Sequence, residues 1–219
     1  MDYKLLGKTG IKVSELCLGT MTFGTDWNFG SDKEESQRVF DAFCNAGGNF
    51  FDTANIYTTG TSEKYLGEFM QSERDNLVIA SKYSLTESNK INVSGNSCKN
   101  MTQSVEGSLK RLGTDYIDLY YVHAWDFLVA PEELMRNLEY LLASGKILSI
   151  GISDTPAYIT SRCNTLAELR GWNQFAAYQV EYCLTERTAD REIIPLCEHD
   201  DMLLCGRGPL AAWLRAGKY

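Results

Sequence analysis

Seven short apolar runs, separated by stretches of helical pattern, constrain this chain more than any other feature of its sequence. They are Leu16 to Thr20, Asn49 to Asp52, Leu77 to Lys82, Tyr116 to His123, Ile147 to Ile152, Phe175 to Val180 and Met202 to Cys205. Helical stretches follow most of them, among them Lys33 to Asn45, Cys98 to Leu112, Pro131 to Ser144 and Thr188 to His199. Strand-length runs alternating with helices are the rhythm of a parallel sheet wrapped by helices. Ahead of them, Tyr3 to Leu6 and Ile11 to Ser14 are joined at Lys8, Thr9 and Gly10, which is a hairpin signal. Boundary residues agree: Pro131 opens a helix with Glu132 behind it, and Gly113 and Gly145 stop helices.

Several of the runs end in polar groups. Asp52 closes the second, Lys82 the third and His123 the fourth, and Tyr57 stands just beyond Asp52 in the stretch GGNFFDTANIY. Period-two alternation sets Lys82 on one face with Val78 and Ala80, and His123 with Ile117, Leu119 and Tyr121. If that face is a barrel interior, these groups converge at the C-terminal mouth, where such barrels carry their chemistry. Asp118 then falls on the helix side, with no evident partner.

The groups suggest the chemistry. A phenol has a pKa of about 10 and is a poor acid near neutrality unless a cation favours its ionised form. Lys82 offers that cation, Asp52 a counter-charge for it, and His123 a hydrogen bond to an oxygen that gains negative charge. The set suits proton donation onto a developing alkoxide, with the hydride left to a cofactor. Taken singly, each residue has a plainer reading: Asp52 as a turn residue, Tyr57 as one of twelve tyrosines that pack, His123 as structural. Only their combination points to a catalytic site.

These residues, in this order, resemble the aldo-keto reductase superfamily, NADPH-dependent enzymes on a (β/α)8 barrel. The resemblance runs through YKLLGKTGIKVSELCLGTMTFG, FFDTANIYTTGTSEKYLGEFM, IASKYS, SLKRLGTDYIDLYYVH, GKILSIGISD and YQVEYCL. By position it implies Tyr57 as general acid, Lys82 and Asp52 as its tuning pair, and His123 as the donor that orients the substrate. It further implies that Gly19, Thr20 and Met21 border the nicotinamide ribose and that Ser153, Asp154 and Gln179 hold the carboxamide; Trp27 and Trp125 read either as walls of the substrate pocket or as exposed aromatic loop residues. The N-terminal hairpin is expected to plug the barrel. Asp154 departs from the family's usual asparagine, and a carboxylate only accepts hydrogen bonds. Where the family places an aromatic that stacks on the nicotinamide, followed by Ser, Pro and Leu, this chain has Arg207, Gly208, Pro209 and Leu210. Arg207 and Leu210 are therefore expected at the cofactor. An arginine there disfavours an oxidised, cationic ring.

The remaining features set bounds. At 219 residues the chain falls short of the ~250 typical of such a barrel. The expectation is one domain over residues 1–219, an α/β fold built as an incomplete (β/α)8 barrel with its N-terminal hairpin and without its eighth strand. The family's phosphate-gripping segment is also expected to be missing, which would weaken NADPH or NADH binding. Exposed edges would favour a homodimer that covers the opening. A net charge of −8, with Lys110 and Arg111 the one adjacent basic pair, argues against nucleic acid. Seven cysteines without a CxxC pair read as reduced thiols of a cytoplasmic protein. No apolar run is long enough to span a membrane. His199 in EHDD lacks a second histidine at helical spacing, so no metal site is expected. The function read from all this is NAD(P)H-linked reduction of a small aldehyde or ketone; the alternative is a barrel kept as a non-enzymatic binding scaffold.

Overall fold

The structure is a computed structural model that describes residues 1–211. The segment AAWLRAGKY, which the sequence allows to fold back as a helix, lies outside the described residues except for Ala211. Strands β1 (Tyr3–Leu5) and β2 (Lys12–Ser14) pair antiparallel, with Lys4 opposite Val13. Seven further strands form one parallel sheet in chain order: β3 (Leu18–Gly19), β4 (Phe50–Asp52), β5 (Val78–Tyr83), β6 (Ile117–Val122), β7 (Ile147–Ser153), β8 (Ala177–Glu181) and β9 (Leu203–Arg207). Each lies in, or overlaps, one of the apolar runs. Among the described residues the sheet stays open, since β3 and β9 have one neighbour each. The result is the expected α/β architecture, a partial (β/α)8 barrel carrying an N-terminal hairpin.

Strand alternation divides the apolar residues between two cores. Inward positions Phe50, Val78, Ala80, Leu119, Tyr121 and Ala177 pack on Leu6 and Val13, so the hairpin seals the interior from below. Gly151 sits at an inward position of β7 because a Cβ there would lie 2.5 Å from the Tyr121 ring. Outward positions such as Phe51, Ile79, Tyr120, Val122, Ile150 and Ile152 meet the helices. The helices are α1 (Lys33–Asn45), α2 (Thr61–Phe69), α3 (Cys98–Leu112), α4 (Pro131–Ala143), α5 (Ala157–Arg170) and α6 (Ile193–Asp200).

Local chemistry sets their ends. Asp32 caps α1 by accepting from the Glu35 N–H, and Ser97 caps α3 through Asn100 N–H. Gly113 and Gly171 close α3 and α5 in the left-handed conformation. The helix expected from Thr188 to His199 is split into a single 3-10 turn, Thr188–Asp190, and then α6. Pro195 explains the break, since its ring would clash with the carbonyl four residues back if one helix ran through.

The helix-side Asp118 does have a partner. Its carboxylate accepts from Ile79 N–H at 2.9 Å and pairs with Arg74 at 2.7 Å. Burial pushes its pKa up, against the opposing pull of Arg74 and the Ile79 N–H. Arg74 also donates to the carbonyls of Leu77 and Tyr116, so one guanidinium locks the starts of β5 and β6 together. Among the described residues, no helix is long and apolar enough to cross a membrane.

Candidate active site

The C-terminal end of β4 delivers Asp52, and that of β5 delivers Lys82 from an inward position. The Lys82 side chain is fully buried and its ammonium is fully used: it donates to Asp52 Oδ2 at 2.5 Å, Thr53 O at 2.9 Å and Tyr57 Oη at 3.1 Å. Three donors meet three acceptors, which is what a buried ammonium requires. Burial works against the charged form of Lys82, but Asp52 and Tyr57 together outweigh it and hold its pKa above the ordinary value.

Tyr57 behaves differently from the sequence-based expectation. Burial raises its pKa, Lys82 pulls it down and Asp52 pushes it up again, and the balance is upward. The cation tunes the phenol without ionising it, so Tyr57 enters the neutral range protonated. That state is a donor's.

The backbone after Tyr57 is under strain. Thr58 and Thr59 both have positive φ, 45° and 55°, a region that β-branched residues rarely adopt. Side-chain bonds hold them there: Thr58 Oγ1 donates to Phe23 O at 2.6 Å and accepts from Ser62 N–H, and Thr59 Oγ1 donates to Glu87 at 3.1 Å. The other oxygen of Glu87 takes the Trp27 indole N–H at 2.5 Å. Glu87 thus ties the loops after β3, β4 and β5 together and sets Trp27 edge-on to Tyr57, with ring centroids 6.5 Å apart. Neither threonine nor Glu87 stands out in the sequence. Glu87 is one acid in the most polar stretch of the chain, and positive φ at Thr leaves no compositional trace.

His123 follows β6, its ring 5.9 Å from that of Tyr57 and at right angles to it. Burial, with Lys82 and Arg207 nearby, pushes its pKa down to about 3, so the imidazole is neutral. Its Nδ1 is buried without a hydrogen-bond partner. A buried N–H without an acceptor costs more than an unused lone pair, so the proton belongs on Nε2, which leaves that nitrogen a donor.

The far side of the mouth is built by β7, β8 and β9. Ser153 is buried, its Oγ without a partner, and Gln179 is buried beside it in register. Asp154 has φ 39° and accepts from Arg207 at 3.1 and 3.3 Å; Glu181 lies 3.7 Å from the same guanidinium. Two of the positions where the chain departs from the resembled pattern, Asp154 and Arg207, are therefore bonded to each other. Gly19 pairs with Asp52 at the end of β3, and Met21 and Leu210 are exposed. The Thr20 hydroxyl is engaged with Asp52 O and Ser62, and Trp125 is buried after His123. A cleft of about 490 Å³ opens between β3 and β9, with Gly19, Asp52, Gln179, Cys205 and Arg207 in its wall. Among the described residues, no group of three or more His, Cys, Asp or Glu side chains is gathered as a metal site would need.

A nicotinamide cofactor fits the residues present. The unpartnered Ser153 hydroxyl and the Gln179 amide are the donor and acceptor types that a carboxamide takes up, and Arg207 offers a cation at the rim.

The model of the aldo/keto reductase family matches residues 15–219. Norsolorinic acid reductase stcV of Emericella nidulans is 45% identical over 212 residues, covering 92% of this chain and 55% of that protein. An NADP(+) aryl-alcohol dehydrogenase of Phanerodontia chrysosporium is 43% identical over 218 residues, 93% of this chain and 57% of its own length. The aldo-keto reductase ausK of Emericella nidulans is 39% identical, with 91% and 54% covered. The chain spans about half the length of the curated relatives it matches.

Proposed function

The chain belongs to the aldo/keto reductase family, and on that premise we propose that it reduces an aldehyde or ketone to the alcohol with a reduced nicotinamide, NADPH before NADH. The observation that carries this reading is the buried chain from Asp52 through Lys82 to Tyr57, which holds a protonated phenol beside a fixed cation. Tyr57 gives its proton to the substrate oxygen as charge develops on it. The phenolate left behind faces the Lys82 ammonium 3.1 Å away, and Asp52 keeps that ammonium from following the proton. The neutral His123 donates from Nε2 to the same oxygen and fixes the carbonyl's orientation. When bound, the cofactor would supply the hydride; Ser153 and Gln179 would hold its carboxamide, with Gly19 and Met21 along the ribose, while Thr20 is fully buried against Asp52 O and Ser62. The choice of phosphorylated cofactor rests on the NADP(+) in the name of one relative.

Trp27, Phe29 and Tyr57 form an aromatic edge at the mouth, with the Trp27 and Phe29 centroids 5.9 Å apart. Together with a relative named as an aryl-alcohol dehydrogenase, this favours an aromatic carbonyl. Loss of reduced-nicotinamide absorbance, followed with a panel of aromatic and aliphatic aldehydes and ketones, tests the reading. Turnover should fall at least about a hundredfold in Tyr57→Phe, with cofactor affinity unchanged. If neither cofactor supports reduction of any panel member, the reductase reading fails and the scaffold reading replaces it.

A further inference from the structure

Asp52 has two carboxylate oxygens, and both are committed. Oδ2 takes the Lys82 ammonium, and Oδ1 takes the amide N–H of Gln179 at 3.0 Å. Gln179 comes from β8, four strands from Asp52 in the sheet and 127 positions later in the chain, so the bond crosses the barrel interior. Its side chain is 7% exposed. A carboxylate accepts only, so the amide nitrogen has to face it, and Oε1 is left for a donor. Among the described residues, Oε1 accepts no hydrogen bond.

We propose that Gln179 is a positioning residue that couples the seat of the cofactor's carboxamide to the proton donor, through Asp52 and Lys82. The reason lies in the absence of slack. All three ammonium protons and both carboxylate oxygens are in use, so a change at Gln179 has to be taken up along the chain of contacts that ends at Tyr57. A carboxamide that donates to Oε1 polarises the Gln179 amide and strengthens its N–H as a donor to Asp52. Asp52 then draws less on Lys82, and Lys82 turns more of its field on Tyr57. Cofactor occupancy and proton donation become one linked equilibrium, and the linkage runs both ways. The cofactor's part in the coupling and its consequence for turnover rest on the carbonyl-reduction reading; the contacts from Gln179 through Asp52 and Lys82 to Tyr57 do not.

The test uses the free protein. Tyr57 ionisation is followed by ultraviolet difference titration, with Tyr57→Phe in each background subtracting the other eleven of the twelve tyrosines. Gln179→Met keeps the volume and removes the donor, and Gln179→Asn keeps the amide but shortens its reach. In both, Asp52 loses the amide dipole that shares its charge and turns more of that charge on Lys82 and Tyr57, so the Tyr57 titration should move up by on the order of half a pH unit. A wild-type Tyr57 titration in either folded variant overturns the proposal, whatever turnover does. A shifted titration in a protein that reduces no carbonyl keeps the coupling and removes the function; an unshifted titration in an active reductase does the reverse.

Discussion

The two sides of the barrel mouth are built on different principles. On the side of β4, β5 and β6, Asp52, Lys82 and Tyr57 satisfy one another, bonded to protein alone. On the side of β7, β8 and β9, the Ser153 hydroxyl has no partner and Asp154 and Arg207 meet at a half-exposed rim. On the first side the trio of Asp52, Lys82 and Tyr57 is held in place as folded, which suits proton donation, because a donor has to hold its geometry before the substrate arrives. The second is left unsatisfied where a ligand would complete it. Gln179 reaches across the interior from the second side to the first through its bond to Asp52.

If the first side is held together by its charges, removing its cation should be the most damaging change. Lys82→Met strands the Asp52 carboxylate without its counter-charge, and urea unfolding should show a loss of about 3–5 kcal/mol. A loss under about 1 kcal/mol would mean that the two sides are not so different.

His123 gives a middle effect with a pH signature. Its pKa is ordinary, about 6.5, in the unfolded chain and about 3 in the folded one. Between those values the unfolded chain binds more protons, so stability falls as pH drops from about 6.5 toward 3, with a slope approaching 1.4 kcal/mol per unit. His123→Gln should flatten that part of the urea-unfolding profile and leave the region above pH 7 unchanged.

Smallest is the effect expected at the rim. Arg207→Ala breaks contacts between half-exposed groups and should alter unfolding by less than about 1 kcal/mol. It also leaves Asp154 and Glu181 as bare carboxylates, so affinity for the oxidised, cationic nicotinamide should rise relative to the reduced form. Fluorescence titration of both forms would show it; a large stability loss instead would make this side as rigid as the other.

The first side was also the more legible in the sequence. Asp52, Lys82 and His123 close apolar runs, and strand periodicity sets Lys82 on one face with Val78 and Ala80, the face that the structure turns inward. What could not be read were the contacts that depend on tertiary approach. Arg74 lies in no patterned element, yet it neutralises Asp118. The pairing of Asp154 with Arg207 joins residues 53 apart whose types looked like two independent departures. Among the helices, α5 buries Thr160 and Asn164 next to Ile159, Cys163 and Ala167, so polar residues interrupt its apolar stripe and hide its period. The fold survives such gaps because β-strand order needs only the runs themselves; the site does not, because its geometry is made by turns such as Thr58 and Thr59.

The open strand order carries a consequence for how the amide protons of the sheet exchange with solvent. In the described sheet, β5 and β6 are flanked on both sides, whereas β3 and β9 offer one unpaired row each. Local opening starts at such rows and reaches the flanked strands last. Protons on the amides around Lys82 and Tyr121 should therefore exchange most slowly, and those of β9 near Arg207 fastest. Deuterium uptake would then trace the same division as the polar contacts, with a slow centre around Lys82 and a quick margin at β9.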